Sequence, residues 1–301
     1  MDSLSPFKEK ISLEKPVIIS NLMLYPVVSK TPSKDLDFIT LGEGMPNGTA
    51  SVSETGGSHR WVEVGNSNQD KDLFIIDGEG LTGGKQNRIA ALSIIINRNK
   101  SRKIPAFCSE AGRWNGPADF SSSNIIAYPT IRKINTKSKS FPDRAKDSQS
   151  SIWGEIERKS KTLKTFSPTQ SMQSIYEEKQ NELDKFKEYK PQEDQVGFLA
   201  STQKRLLCLD IFYNTDLFLK FYEKLLRSYA IDGLEDFQYG EGSFQTQELQ
   251  AFFQAIFAAT LIKHVKKYQE YRYKMKQGFG KALFQNNQLI HASFFQDDPE
   301  I

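Results

Sequence analysis

The sequence predicts an α+β fold, with a β-rich N-terminal half of antiparallel strands followed by helices and further β-hairpins. Three observations predict it. Residues 15 to 135 carry short β-branched and aromatic runs separated by Gly, Asn and Asp clusters. From Ser151 the apolar residues fall at helical spacing among Glu and Lys. The C-terminal stretch "RYKMKQGFGKALFQNNQLIHASFF" returns to strand-like patterning around an Asn-Asn turn.

In chain order, "PVIISNLMLYPVV" between its prolines predicts an extended segment or a pair of short strands. "RWVEV" alternates Trp61 and Glu63 with Val62 and Val64, and "DLFIID" follows the polar turn "GNSNQDK". "IAALSIIINR" and "KIPAFC" are apolar and partly β-branched, and the stretch "NKSRK" between them suits a hairpin turn. Lys133 to Ser151 is polar, basic and nearly free of large apolar residues, which predicts a mobile loop or linker outside any core. Beyond it, Ile152, Trp153 and Ile156, then Met172, Ile175, Tyr176, Leu183 and Phe186, predict two charged amphipathic helices. "QVGFLAS" and "KRLLCLDIF", joined by "TQ", predict a hairpin. "DLFLKFYEKLLRSYAIDGL" predicts one helix capped near Thr215 and stopped at Gly233, and "TQELQAFFQAIFAATLI" another.

The 301 residues suffice for one large domain or two modest ones. Twenty-one Phe and 11 Tyr offset a hydrophobic fraction of 38% and predict an aromatic-rich core. Forty Lys and Arg against 37 Asp and Glu leave a net charge of +3, too balanced to indicate a nucleic-acid or anionic-membrane partner. Two cysteines, Cys108 and Cys208, rule out a disulfide framework and a thiolate-only zinc site. No stretch approaches the ~20 apolar residues of a membrane span, and Met1 to Lys15 lacks the apolar centre of a secretion signal. The expectation is a soluble, cytoplasmic protein.

"DGEGLTGGKQNR", Asp77 to Arg88, resembles two nucleotide-binding patterns. Gly78, Gly80 and Gly83 match G-x-G-x-x-G after an apolar strand, but "IAALSIIINR" is too β-branched and short for the helix that must face the pyrophosphate. No strand ending in an acid follows at the required distance. A P-loop fails because Glu79 stands where its first Gly belongs and Gln86 where its Ser or Thr belongs. The glycines instead predict positive φ and close backbone approach in a wide turn between strands.

The polar residues there are harder to dismiss, since Asp77, Glu79, Lys85, Gln86, Asn87 and Arg88 exceed what a hairpin needs. A second constellation, "CSEAGRW" from Cys108 to Trp114, adds a thiol, a carboxylate, a guanidinium and an indole. If "IAALSIII" and "KIPAFC" pair, Arg88 and Cys108 flank the open end of one hairpin, and the two loops share a pocket.

These residues resemble the ADP-ribosylglycohydrolase- and rhodanese-phosphatase-superfamily-associated domain, a domain of unknown function. The resemblance rests on the ordered series Asp77-Gly78-Glu79, Gly84, Lys85-Gln86-Asn87-Arg88, Cys108, Glu110, Gly112-Arg113-Trp114 and Ser121-Ser122-Ser123. It continues through "SIWGEI", "SPTQSM", "QVGFLA" and "LIHASFF". It implies one family domain over residues 12–297, arranged as a β-rich lobe at 12–135, a basic polar loop at 136–150 and a mixed helix and hairpin lobe at 151–297. "LGEGMPNGTASVSETGGS" departs from the family pattern, so the resemblance carries no site residue onto positions 41 to 58. The grouping with ADP-ribose-processing proteins implies a link to NAD-derived nucleotides, an association and not a mechanism.

For such a nucleotide, Lys85, Arg88 and Arg113 are suited to phosphate, Gln86 and Asn87 to a purine or amide edge, and Trp114 to stacking, with Ser121, Ser122 and Ser123 adding hydrogen bonds. The competing reading is a buried polar network in which Glu79 or Glu110 pairs with Arg88 or Arg113. For catalysis, Glu79 and Glu110 form the candidate acid/base pair and Cys108 the candidate nucleophile, although a cysteine after a strand is more often a small core residue. The residues indicate no metal site and identify no cofactor, because His59, His264 and His291 stand apart from any closely spaced ligand set. A scaffold or interaction protein working through "MQSIYEEKQNELDKFKEY" and the basic loop is the alternative, set against an ordinary solvated face over a core stripe.

Overall fold

A computed structural model of the chain describes residues 3–33, 35–56, 60–137, 145–238 and 246–297. The chain divides into two compact units, Met1–Leu36 with Lys185–Ile301, and Asp37–Asp184. This division differs from the lobes expected at 12–135 and 151–297. The N-terminal strand at Leu22–Ser29 pairs with the strand at Gln195–Thr202, a partnership that sequence proximity does not reveal, and the helices between Ala145 and Leu183 belong with the strands that carry the polar motifs.

The chain begins with β1 (Ile11–Leu13), β2 (Val17–Ile19) and β3 (Leu22–Ser29). There follow β4 (Phe38–Thr40), α1 (Leu41–Gly44), β5 (Ala50–Glu54), β6 (Trp61–Asn66), β7 (Asp72–Ile75), β8 (Glu79–Gly83), β9 (Arg88–Ala90), β10 (Ile94–Ile96), β11 (Lys100–Cys108) and β12 (Phe120–Ile126). The helices α2 (Pro129–Lys137), α3 (Ala145–Leu163), α4 (Met172–Glu178) and α5 (Gln180–Leu183) complete this unit. The chain then forms β13 (Gln195–Thr202), β14 (Leu206–Phe212), α6 (Thr215–Leu219), α7 (Tyr222–Gln238), α8 (Thr246–Ile256), β15 (Thr260–Val265), β16 (Glu270–Met275), β17 (Gly278–Gln285) and β18 (Gln288–Gln296).

In the unit built from the two chain ends, β1, β3, β13, β14, β18, β17, β16 and β15 form one antiparallel sheet, with β2 paired to β3. β13 and β14 are buried along their whole length because helices cover both faces. Leu199, Leu209 and Ile211 face Phe252, Phe253 and Ile256 of α8 in one apolar cluster. On the other face Phe198 meets Phe218 and Tyr229, with ring centroids 5.2 and 6.0 Å apart. The expected hairpin of β13 and β14 is present, as is the turn at Asn286 and Asn287, whose φ values of 51° and 64° suit asparagine in a tight hairpin.

The helix expected from Asp216 to Leu234 is two helices. Its cap is Asn214, whose side chain accepts from Leu217 N, rather than Thr215. Gly233 lies inside α7 and does not stop it. A Cβ there would stand 3.0 Å from Leu22 Cγ, so the glycine lets the helix approach β3 closely. The next helix ends at Ile256, and the residues that follow form the edge strand β15. The side chain of Thr246 lies outside the described residues, as does His59.

In the central unit, β12, β8, β9, β11, β6 and β5 form one sheet, and β10, β7 and β4 a smaller one. "IAALSIIINR" is therefore not one strand. β9 pairs with β8 and β11, while β10 pairs with β7 in the other sheet. The basic stretch expected as a loop is also largely ordered, since Lys133 to Lys137 belong to α2 and Ala145 to Ser151 to α3; residues 138–144 lie outside the described residues. The expectation that this stretch adds nothing to a core fails because α2 buries polar groups that are paired. Within the stretch, Asn135 Nδ2 donates to the Ala91 carbonyl and Thr136 Oγ1 donates to Arg132 O at 2.8 Å; just before it, Arg132 meets Asp77. Met172, Ile175, Tyr176 and Leu183 are all buried, as their spacing predicts, and Phe186, in the unit formed by the chain ends, is buried as well.

Candidate functional site

The stretch Asp77 to Arg88 is not one wide turn. A tight turn after β7 places Gly78 at φ 81°, and β8 then runs to a short hairpin loop that leads into β9. Gly83, which ends β8, and Gly84 in that loop have φ of 122° and 56°. Gly80 serves close approach instead, since a Cβ there would lie 2.9 Å from Ser123 Cβ and from Ile125 Cγ1. The glycines are thus turn and packing residues, and strand β9 follows them where a dinucleotide site requires a helix.

The pairing that brings the two motifs together is present, with Cys108 opposite Arg88 across β11 and β9. Arg88 is 1% exposed; its guanidinium donates to Cys108 Sγ and, at 3.1 Å, to Glu54 Oε1. Glu54 ends β5 and also accepts from Lys85 N at 3.0 Å. It lies within the segment to which the resemblance carried no site residue. Only the strand pairing reveals its role.

Glu110 is the hub of the second motif. Its Oε2 accepts from Asn87 N at 3.1 Å and from Arg113 Nε at 2.9 Å, and its Oε1 accepts from Thr169 Oγ1 at 2.6 Å. Arg113 also donates to the carbonyls of Gly83, Gly84 and Asn115 and to Asn87 Oδ1, all at 2.7 to 3.1 Å, which engages every nitrogen of its fork. Asn87 Oδ1 accepts from Gly83 N and its Nδ2 donates to Ser171 Oγ. Gln86 is fully buried, with Nε2 donating to the Glu110 carbonyl at 2.8 Å and Oε1 left without a partner. Thr169 and Ser171, in the segment before α4, belong to the same network. Their one sequence signal is the stretch "SPTQSM".

Burial opposes ionisation of Glu110, but the hydrogen bonds from Arg113, Thr169 and Asn87 outweigh it and hold the carboxyl below its usual range. Burial pushes the Cys108 thiol up to about 11 despite the Arg88 charge beside it. Iodoacetamide at pH 8 is therefore expected to leave Cys108 unmodified in the folded protein and to label it after denaturation, as read by peptide mass spectrometry. Rapid labelling of the native chain at this residue would contradict the assignment.

Glu79 and Glu110 are not brought together. Glu79, fully buried, begins β8 opposite Ile126, with Oε2 3.4 Å from Ile76 N, whereas Glu110 adjoins the hairpin loop at the other end of that strand. Four residues of strand, about 13 Å, separate Glu79 from Gly83. Ser123 donates to Gln173 Oε1 at 3.1 Å, while Ser121 and Ser122 line a cavity of about 320 Å³ beside Met45, Pro46 and Asp119. Lys85 is exposed, and Trp114 is 55% exposed with its ring edge-on to Trp153 at 6.4 Å. Among the described residues, no group of three or more His, Cys, Asp or Glu is arranged to hold a metal ion, and no helix is long and apolar enough to cross a membrane.

Fold and site together define an α+β protein whose motif residues build a hydrogen-bonded network at the mouth of a β-hairpin. Residues 10–295 match the model of the ARG and Rhodanese-Phosphatase-superfamily-associated Protein domain, ARPP-1, and the chain belongs to that family. No curated protein and no solved structure matches the chain.

Proposed function

We propose that the hairpin mouth in the central unit binds an NAD- or ADP-ribose-derived nucleotide without using Glu79 and Glu110 as a catalytic pair. The observation that carries this reading is the half-exposed indole of Trp114, which follows directly on the network that Arg113 and Glu110 hold rigid. A base stacks on the indole, and the Lys85 ammonium meets phosphate. Arg88 and Arg113 act as struts that hold Glu54, Glu110 and the hairpin loop in place. Binding is favoured over catalysis because Glu110 is held as a carboxylate by three donors and Cys108 as a neutral thiol. The link to ADP-ribose itself comes from the family description alone.

Thermal-shift titration with ADP-ribose, NAD and AMP tests the reading. A ligand at 100 times its Kd stabilises the folded chain by about 2.7 kcal/mol, which raises the melting temperature by a few degrees. Trp114→Ala and Lys85→Ala, at exposed positions, are expected to remove the shift while leaving the unliganded melt within about 1 °C of the parent. Arg88→Ala is a poor diagnostic, since it strips Glu54 and Cys108 of their partner. No shift with any of the three nucleotides would reject the proposal. The non-catalytic scaffold reading is favoured by one observation, the internal saturation of Arg113. It predicts no nucleotide shift and a protein partner that co-purifies with the intact chain.

A further inference from the structure

The sheet of the unit formed by the chain ends holds a cavity that the hairpin-mouth proposal does not use. It has a volume of about 260 Å³ and lies where β1, the end of β14 and the β17–β18 turn converge. Two register shifts shape it. In the pairing of β13 with β3, Gln195 faces Val28 and Gly197 faces Val27, so Val196 is passed over. In β17 with β18, Leu283 faces His291 and Phe284 faces Leu289, so Ile290 is passed over. An extra residue reverses the face that a side chain occupies. Strict alternation would set Val196 on the face of Phe198 and Leu289 on the face of His291. The shifts instead bring both into the apolar cluster with Leu199, Ile211 and Ala292, and both line the cavity.

Part of the polar rim is joined by hydrogen bonds. Ser33 Oγ lies 2.7 Å from Tyr213 Oη, Gln288 Nε2 donates to the same Tyr213 oxygen at 3.1 Å, and Ser33 Oγ donates to Asp35 Oδ2 at 3.2 Å, with Asp35 outside the lining. Among the described residues, Lys10 is the only charged side chain that lines the cavity. Its ammonium lies over the Phe7 ring, 5.6 Å from the centroid, and makes no ion pair with the described residues.

We infer that this cavity is a binding site for a small organic monocarboxylate with an aromatic or aliphatic body. The apolar wall made by Val196, Ile211 and Leu289 takes the body, and Lys10 at the rim takes the carboxylate. One cation and no arginine fork suit a single negative charge better than a phosphate, which sets this ligand apart from a nucleotide. The volume lies just below the roughly 300–1,000 Å³ of drug-sized sites, which points to a compact acid.

Isothermal titration of the full chain with 4-phenylbutyrate, 4-phenylbutanol and 4-phenylbutylamine tests the inference. Saturable one-to-one binding is expected, the acid tighter than the alcohol and the amine weakest. Lys10→Gln, at an exposed position, is expected to weaken the acid about tenfold and leave the alcohol unchanged. Thr31→Trp, also exposed and at the rim, plugs the mouth and is expected to abolish binding of all three. Failure of all three probes to bind overturns the inference. So does acid affinity that survives either substitution, or an amine that binds as tightly as the acid. Trp114→Ala is expected to leave these titrations unchanged, which separates this site from the nucleotide proposal.

Discussion

Asp77→Ala is expected to lower the stability of the chain by about 3–5 kcal/mol, because it removes one partner of a buried ion pair and takes from Arg132 the carboxylate that meets its guanidinium at two points. Both side chains are fully buried. Arg132 Nε meets Asp77 Oδ2 at 3.2 Å and a terminal nitrogen meets Oδ1 at 3.1 Å, a two-point contact that also joins the turn before β8 to α2. Ser93 Oγ accepts from Asp77 N at 3.0 Å and fixes the same turn from the side of β10. Asp77 therefore heads the motif as an anchor for the turn, and its loss should displace Gly78 and Glu79 as well. The double variant Asp77→Leu with Arg132→Met removes both charges and is expected to recover a large part of the loss. Chemical denaturation followed by circular dichroism reads both. A single variant that melts within 1 kcal/mol of the parent would show that the pair contributes little.

Glu110→Gln has the second-largest expected effect, and its size depends on pH. The carboxylate receives donors from Asn87, Arg113 and Thr169, and the amide replaces one charged acceptor oxygen with a donor, at a cost of about 1.5–3 kcal/mol at pH 7. The direction with pH follows from linkage. The folded-state pKa of Glu110 lies below the unfolded value of roughly 4.3, so its contribution is fully present above that value and is lost as pH falls through the folded pKa. The parent and the variant should therefore differ most in melting temperature near pH 7 and converge as the solution is acidified below pH 4. A difference that stays constant from pH 7 to pH 3 would mean that Glu110 does not carry the charge assigned to it. Because Arg113 holds the hairpin loop through Glu110, the variant should also weaken any nucleotide bound at that mouth.

The hairpins were legible because their two strands are neighbours in sequence and carry their own turn residues. The Asn286-Asn287 turn and the hairpin of β13 and β14 are examples. The alignment of Cys108 with Arg88 was legible for the same reason, since both flank a local strand pair. The division into units was not, because β3 finds its partner some 170 residues onward through backbone hydrogen bonds that leave no mark on either segment. Helix α2 was illegible for a different reason. It buries Arg132, Asn135 and Thr136, residue types that signal exposure unless their partners are known, and those partners are Asp77, the Ala91 carbonyl and the helix's own backbone.

The motif residues were readable from their types and order, and so was the family to which the chain belongs. Their roles depended on the three-dimensional arrangement. Residue type makes Arg88 and Arg113 candidates for phosphate, yet a guanidinium has a fixed set of donors, and the fold directs them to Glu54, Cys108, Glu110 and the hairpin carbonyls. Glu79 and Glu110 lie 31 positions apart in the chain, which says nothing of their separation in space. Strand β8 holds them at its two ends, because an extended chain advances about 3.3 Å per residue and cannot fold back within its own length.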